Sequence, residues 1–204
     1  MIELEKKMIM EDFEKKVRLT DAKESNDTVI LLGRFLQIQQ RRALAYADLK
    51  RGFEEYMVSG AELAYHQLCT RITSEFTDCS KQVLEIESRF QDIDRPDLAQ
   101  LLRAVQTQEK HKLHLTATIQ LLKKAGCPSE RLVSHENCRF TKPMEHECVH
   151  VSEITEAAGT EEAEAIAEYG NALKEAIRGV QDAVTSINEY IEEVKYEIAA
   201  LEAE

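Results

Sequence analysis

Residues 166–201 read IAEYGNALKEAIRGVQDAVTSINEYIEEVKYEIAAL, and the spacing of their aliphatic side chains decides the fold class. Ile166, Leu173, Val180, Ile187, Val194 and Leu201 recur every seven residues, and Gly170, Ile177, Val184, Ile191 and Ile198 interleave with them. Read as heptads, the first set occupies d and the second a. A 3.5-residue repeat kept over five heptads specifies a helix that buries one narrow stripe against other helices and solvates the rest. The seam stays apolar to Leu201, so its far end needs cover from the N-terminal helix, a second copy of the chain or another protein. Val194, Ile198 and Leu201 are therefore the candidate partner-binding residues.

Working backwards, the remaining sequence is equally helical in character. Three prolines, Pro96, Pro128 and Pro143, leave long stretches free of the strongest helix breaker. Residues 1–24 carry a thin stripe of Ile2, Ile9, Phe13 and Val17, and Ser25-Asn26-Asp27-Thr28 offers four good N-cap residues, which predicts a break there. The next helix presents Leu32, Leu36, Ala43, Tyr46, Phe53 and Met57 and ends at Ser59-Gly60. A third, about 61–91, presents Tyr65, Leu68, Ile72, Cys79, Val83, Ile86 and Phe90. So short a turn makes it the antiparallel neighbour of the second. Asp92 to Asp97 reads as a stop followed by a start, with Pro96 in the first turn of a fourth helix. That helix carries Leu98, Leu101, Leu102, Val105, Leu113, Ile119 and Leu122 inward and stops at Gly126-Cys127-Pro128.

The expected fold is all-α: an elongated antiparallel helical bundle with a long acidic C-terminal heptad helix. Its segments are an N-terminal charged helix and linker (1–28), a three-helix core (29–125), an irregular loop containing Cys and His (126–159) and the coiled-coil-type helix (160–204).

Charge is unevenly placed. Of the net −12, residues 160–204 contribute three basic against twelve acidic groups. Such a face repels phosphate backbones, whose attraction for proteins comes chiefly from Lys and Arg. The basic pairs Arg41/Arg42, Lys50/Arg51 and Lys123/Lys124 have the density of an ordinary solvated helix, and Tyr46, Phe53, Tyr56 and Tyr65 fall largely on core stripes. Weak or no direct nucleic-acid binding follows. The first residues lack the apolar core of a secretory signal, no stretch is long and uncharged enough to span a membrane, and the five cysteines are an odd number. The expected setting is nuclear or cytoplasmic, with reduced thiols and no membrane partner.

Chemistry is sparse. His146, Cys148 and His150 alternate in a segment where Cys138 or His135 could close a tetrahedral zinc site. The absence of a Cys-x2-Cys pair and the Pro143 break favour the alternative, thiols and imidazoles clustered by chance, so no cofactor is expected. His111 and His114, one turn apart near Glu109, are flanked by Lys110 and Lys112, which suits a polar outer face better than a metal site. No phosphate-binding glycine loop and no nucleophile motif occurs, and no enzyme is expected.

Three stretches together resemble a known family. They are Gly33-Arg34-Phe35-Leu36 through Gln39-Gln40-Arg41-Arg42 to Gly52-Phe53-Glu54-Glu55-Tyr56; Leu68-Cys69 through Thr73 to Val83-Leu84-Glu85-Ile86-Glu87; and Arg95-Pro96-Asp97-Leu98-Ala99 through Leu101-Leu102-Arg103, Glu109-Lys110 and Lys112-Leu113 to Leu115-Thr116. In these, residues 29–125 resemble the required for excision 1-B domain family, associated with DNA excision repair. The resemblance implies an accessory role and brings no catalytic or ligand-binding residues with it. Joined to the charge pattern, it gives the expectation of a non-enzymatic helical adaptor acting by protein contact or self-association through the C-terminal helix. The competing expectation is a coiled-coil subunit of a cytoskeletal or trafficking assembly.

Overall fold

The computed structural model describes residues 2–128 and 156–203, with side chains described for 24–128 and 160–203. Among them are four helices: α1 (Ile2–Ser59), α2 (Glu62–Asp92), α3 (Pro96–Ala125) and α4 (Glu156–Glu202). The chain divides into two compact units, residues 1–109 with 185–204, and residues 110–184.

The break expected at residues 25–28 is absent, and α1 runs through it. The hydroxyls that could have capped a new helix turn elsewhere. Thr28 donates backwards to the Glu24 carbonyl at 2.9 Å, and Ser25 donates to the Leu201 carbonyl at 3.5 Å. A side-chain donor that can reach the carbonyl four residues back is compatible with an uninterrupted helix, so the run of N-cap residues does not oblige the chain to restart.

The turns are built as helix-stop chemistry requires. Gly60 takes a left-handed φ of 69° between α1 and α2. Between α2 and α3 the same region is taken by Asp94 (φ 57°). There the Arg95 amide reaches back to the Phe90 carbonyl at 2.8 Å and the Asp94 amide to Gln91 at 3.3 Å, the paired bonds of a Schellman stop. Pro96 then opens α3, where its missing N–H costs no intrahelical bond.

In the first unit, α1 and α2 run antiparallel: Arg41 meets Glu75 and Asp78, and Tyr46 stacks obliquely on Phe76 at 4.7 Å. Gly52 lets them approach closely, since a side chain there would collide with Leu68. The core is Leu32, Phe35, Ile38, Cys79, Val83, Ile86, Phe90, Leu98, Ala99, Leu102, Val105, Ile187 and Val194. From Ile72 to Phe90 the stripe of α2 is the one its spacing predicts, with Phe76 and Glu87 added, while Tyr65 and Leu68 are half-buried. The stripe of α1 holds in part: Leu32 and Phe53 are buried as expected, but so are Phe35, Ile38, Ala45 and Leu49, whereas Ala43 is exposed and Met57 is 48% exposed. Gln39 and Arg42 occupy the true stripe, and two polar residues there hide its period.

Within α4 the seam turns as it advances. A straight helix drifts about 20° per heptad against a 3.5-residue repeat. Near the C terminus the expected positions are inside, with Ile187 and Val194 buried and Ile191 and Ile198 packed on the core. In residues 110–184 the buried positions of α4 are instead Ala176 and Ala183, each one residue before an a position, while Ile177 is 39% exposed. A Cβ at Gly179 would lie 2.6 Å from Leu115, so here α3 and α4 touch through small residues.

Candidate interaction surface

The residues expected to meet a partner are internal or nearly so. Val194 is 0% exposed and belongs to the core; Ile198 packs against it; Leu201 is half-buried and its carbonyl accepts from Ser25. Val194 is closed in by the core cluster shared with α1, α2 and α3, and Ser25 ties α1 to the end of the seam at Leu201. Cys138, His146, Cys148 and His150 lie outside the described residues, as does His135. Among the described residues no group of three or more His, Cys, Asp or Glu side chains could hold a metal ion. His111 and His114 are exposed.

The arginines of the basic pairs are engaged. Arg41 lies between Glu75 (2.8 Å) and Asp78 (2.6 Å); their hydrogen bonds raise its pKa further above the usual arginine value and lower that of Asp78. Arg51 pairs with Asp48 at 2.6 Å. Arg42 is only 2% exposed. Its guanidinium donates to Ser80 Oγ at 3.2 Å and to Gln106 Oε1, joining α1 to α2 and α3. Gln106 in turn donates to the Ser80 carbonyl, and Tyr46 donates to the Glu109 carbonyl, both at 3.2 Å. Burial lowers the Arg42 pKa despite the field of Glu109, and burial together with Glu109 raises the Tyr46 phenol. This is a buried polar layer, with Gln39, 7% exposed, one turn away.

Thiol chemistry is muted where it is described. Cys79 is fully buried, and that burial raises its pKa, which keeps it a thiol. Cys69 is half-buried beside Tyr65, whose phenol is raised first by burial and then by its hydrogen bond to Cys69.

Among the described residues, exposed large apolar side chains include Ile30, Leu44, Leu84, Leu121 and Tyr196, and three more stand together at the α1–α2 turn. Met57 (48% exposed), Val58 (91%) and Leu63 (74%) flank Gly60-Ala61. A cleft of about 330 Å³ opens on the same hairpin, lined by Gly52, Tyr56, Ala64, Tyr65 and Leu68 with Arg51 and Arg71 at its edge. Tyr56 and Tyr65 stack at 4.9 Å with planes 7° apart, and Phe53 tilts against both. Small residues at 52, 61 and 64 keep the cleft open, and the aromatic stack stiffens its wall. Periodicity assigns Met57 to the core and leaves Val58 and Leu63 unassigned. The usable signal is local: two apolar residues crowd a glycine stop, where polar ones are usual.

Comparison with known proteins gives these features a setting. A family model described as DNA repair REX1-B matches residues 30–123. The mouse (Mus musculus) "Required for excision 1-B domain-containing protein" is 30% identical over 102 residues, which is 48% of this chain and 59% of the relative. The chain thus spans about three-fifths of the length of the curated relative it matches. No solved structure matches. Cleft, polar layer and exposed turn all fall inside residues 30–123, the segment over which this chain is matched to the DNA repair REX1-B family.

Proposed function

We propose that this chain is an accessory protein of DNA excision repair that works by protein contact through the end of its α1–α2 hairpin, without chemistry of its own. The repair assignment is supported by the family match over residues 30–123 and by the name of the mouse relative. The mode of action is supported by one observation: within that matched segment, Met57, Val58 and Leu63 stand exposed around a single turn beside an aromatic-walled cleft. Apolar side chains left in water at one place mark contact surfaces. Arg41, Arg42 and Arg51 are turned to acidic or buried partners, which argues against a phosphate-binding role for this face.

The test is complementation. Cells lacking the protein should recover poorly from ultraviolet damage and be rescued by the wild type, while Val58→Glu/Leu63→Glu should fold normally and fail to rescue. Full rescue by that variant would refute the contact surface. Tight binding of the purified protein to damaged duplex at physiological salt would refute the indirect mode of action.

A further inference from the structure

The side of α1 turned away from the core carries an uncharged stripe about five turns long. At about 100° per residue, Ile30, Gly33, Gln37, Gln40, Leu44 and Ala47 line up opposite the buried Leu32, Phe35, Ile38, Ala45 and Leu49. Ile30 is 59% and Leu44 69% exposed, and Gln37, Gln40 and Ala47 are exposed as well. Gly33 is half-buried, yet a Cβ there would meet none of the described atoms within 4 Å. Glycine in a helix interior costs stability, and no contact among the described residues calls for it here.

The stripe has the spacing of a two-helix contact, with Ile30, Gln37 and Leu44 at a and Gly33, Gln40 and Ala47 at d. Turning one of two such helices end for end brings each a opposite a d of the other. With the two-fold axis between Gln37 and Gln40, Ile30 faces Ala47 of the second copy, Gly33 faces Leu44, and the amides of Gln37 and Gln40 face each other as donor and acceptor. Asn26 meets Arg51 at either end. Large thus meets small, and polar meets polar. A shift of one heptad in either direction destroys the match: Leu44 would face Gln40 or Asn26, and Ile30 would face Glu54 or Gln40. A parallel pair would set Gly33 on Gly33 and Ala47 on Ala47, leaving gaps beside Leu44 on Leu44. Charge is compatible too. In a chain of net −12 the stripe is neutral, and Arg34 and Arg41 beside it are already tied to Glu85 (3.9 Å) and to Glu75 and Asp78 of α2.

We propose that this stripe is a self-association surface, on which a second copy of the chain docks its own α1 antiparallel in an isologous dimer. The contact is about 27 Å long and one helix wide, at the low end of specific interfaces, so the dimer is weak and concentration-dependent.

Sedimentation equilibrium of the full chain should show monomer passing to dimer as the concentration rises through the micromolar range. Gly33→Leu sets leucine against Leu44, and Leu44→Ala leaves a hole over Gly33. Each should weaken the dimer at least about tenfold, while helix content by circular dichroism stays unchanged because both positions face outward. Gly33→Leu combined with Leu44→Ala again pairs large with small and should restore the dimer. A spin label carried by a non-natural amino acid at the exposed Lys50 reads the direction. The two labels should lie about 35 Å apart along the axis in the antiparallel register, and within about 20 Å in a parallel pair. A monomer at every concentration would leave the stripe to a different protein and overturn the proposal. So would a dimer with the short distance, one that neither single substitution weakens, or one that the combination does not restore.

Discussion

Replacing Arg42 tests how the buried polar layer acts. The wild-type guanidinium makes hydrogen bonds to Ser80 Oγ and Gln106 Oε1 at 2% exposure, in the field of the buried Glu109. Arg42→Ala removes both and leaves the Gln106 oxygen and the Glu109 carboxylate with less compensation. Hydrogen bonds to a charged group contribute about 1.5–3 kcal/mol each, and breaking a buried charged arrangement from one side costs about 3–5 kcal/mol. Against this, burial already disfavours the charge on Arg42, so its removal returns part of a desolvation penalty. A net loss of about 3 kcal/mol results, which at about 2–4 °C per kcal/mol in a chain of this size lowers the melting temperature by roughly 6–12 °C.

The companion variant makes the reasoning falsifiable. Arg42→Met with Gln106→Leu removes donor and acceptor together and fills the space with apolar atoms. It should recover most of the loss, because a layer deleted from both sides strands far fewer polar atoms. Urea titration followed by circular dichroism measures both variants. A single variant within about 1 kcal/mol of wild type would mean that the layer is energetically silent. A double variant no better than the single would mean that Arg42 contributes by packing its stem and not by its charge.

Other outcomes follow from single features. Val194→Glu places an unpartnered carboxylate in the core and should destabilise by several kcal/mol, whereas Asn188→Glu, on the exposed face of the same helix, should stay within about 0.5 kcal/mol; urea midpoints decide. Asp97 has its pKa lowered by the Arg95 hydrogen bond, so its contribution is present above the ordinary carboxylate range and is lost as pH falls through the depressed folded value. With the Asp97 side chain 60% exposed, Arg95→Ala should shrink the acid limb of the stability profile through Asp97 by less than about 1 kcal/mol. Gly52→Ala makes the Leu68 methyl swing from its seat between α1 and α2, while alanine's helix propensity returns about 0.5–1 kcal/mol, so the net cost should stay below about 2 kcal/mol in a urea titration. Of Cys69, Cys79 and Cys127, Cys79 should react last with a thiol reagent in the native protein, as mass mapping of the labelled sites would show.

How much of this was legible in the sequence depends on what a side chain reports. Apolar period reports burial by hydrophobicity, and it located α2 and the C-terminal part of α4 because their buried residues are nearly all aliphatic or aromatic. On α1 it found Leu32 and Phe53 but missed Gln39 and Arg42, which sit inside: a buried arginine looks like a solvated one until its partners on two other helices are known. It also placed Ile177 inside and overlooked Ala176 and Ala183, since a heptad template holds the seam fixed while the helix turns beneath it. The helix start expected at 25–28 failed for a related reason. Capping residues permit a start, and only tertiary packing decides whether one is used. The exposed α1–α2 turn was the least legible part, because exposure of Val58 and Leu63 is a statement about what does not pack on them.

The segment that carries the family match and the unit that folds are not the same stretch of chain. The match covers residues 30–123, yet the core around Leu32, Phe35 and Leu102 is closed by Ile187 and Val194, with Tyr190, Ile191 and Ile198 packed against it. The sequence pattern divides a three-helix core, residues 29–125, from the helix of residues 160–204, and on that division the core would survive removal of residues 190–204. With Val194 at 0% exposure it would not. Full burial of one such side chain contributes about 1.5–3 kcal/mol, so losing Val194 together with the partly buried Tyr190, Ile191 and Ile198 removes on the order of 5 kcal/mol, before the stranded faces of α1 and α3 are counted. Net stabilities are about 5–15 kcal/mol, so the deletion takes a large share of the whole. A chain ending at Glu189 should therefore lose its cooperative thermal transition or melt tens of degrees lower by circular dichroism. If it instead melts within a few degrees of the full chain, α4 is an appendage and the core closes without it. In the expected case, failure of such a truncation to rescue repair would report lost folding and say nothing about a partner, which is why the rescue experiment belongs at Val58 and Leu63, where substitution leaves the core untouched.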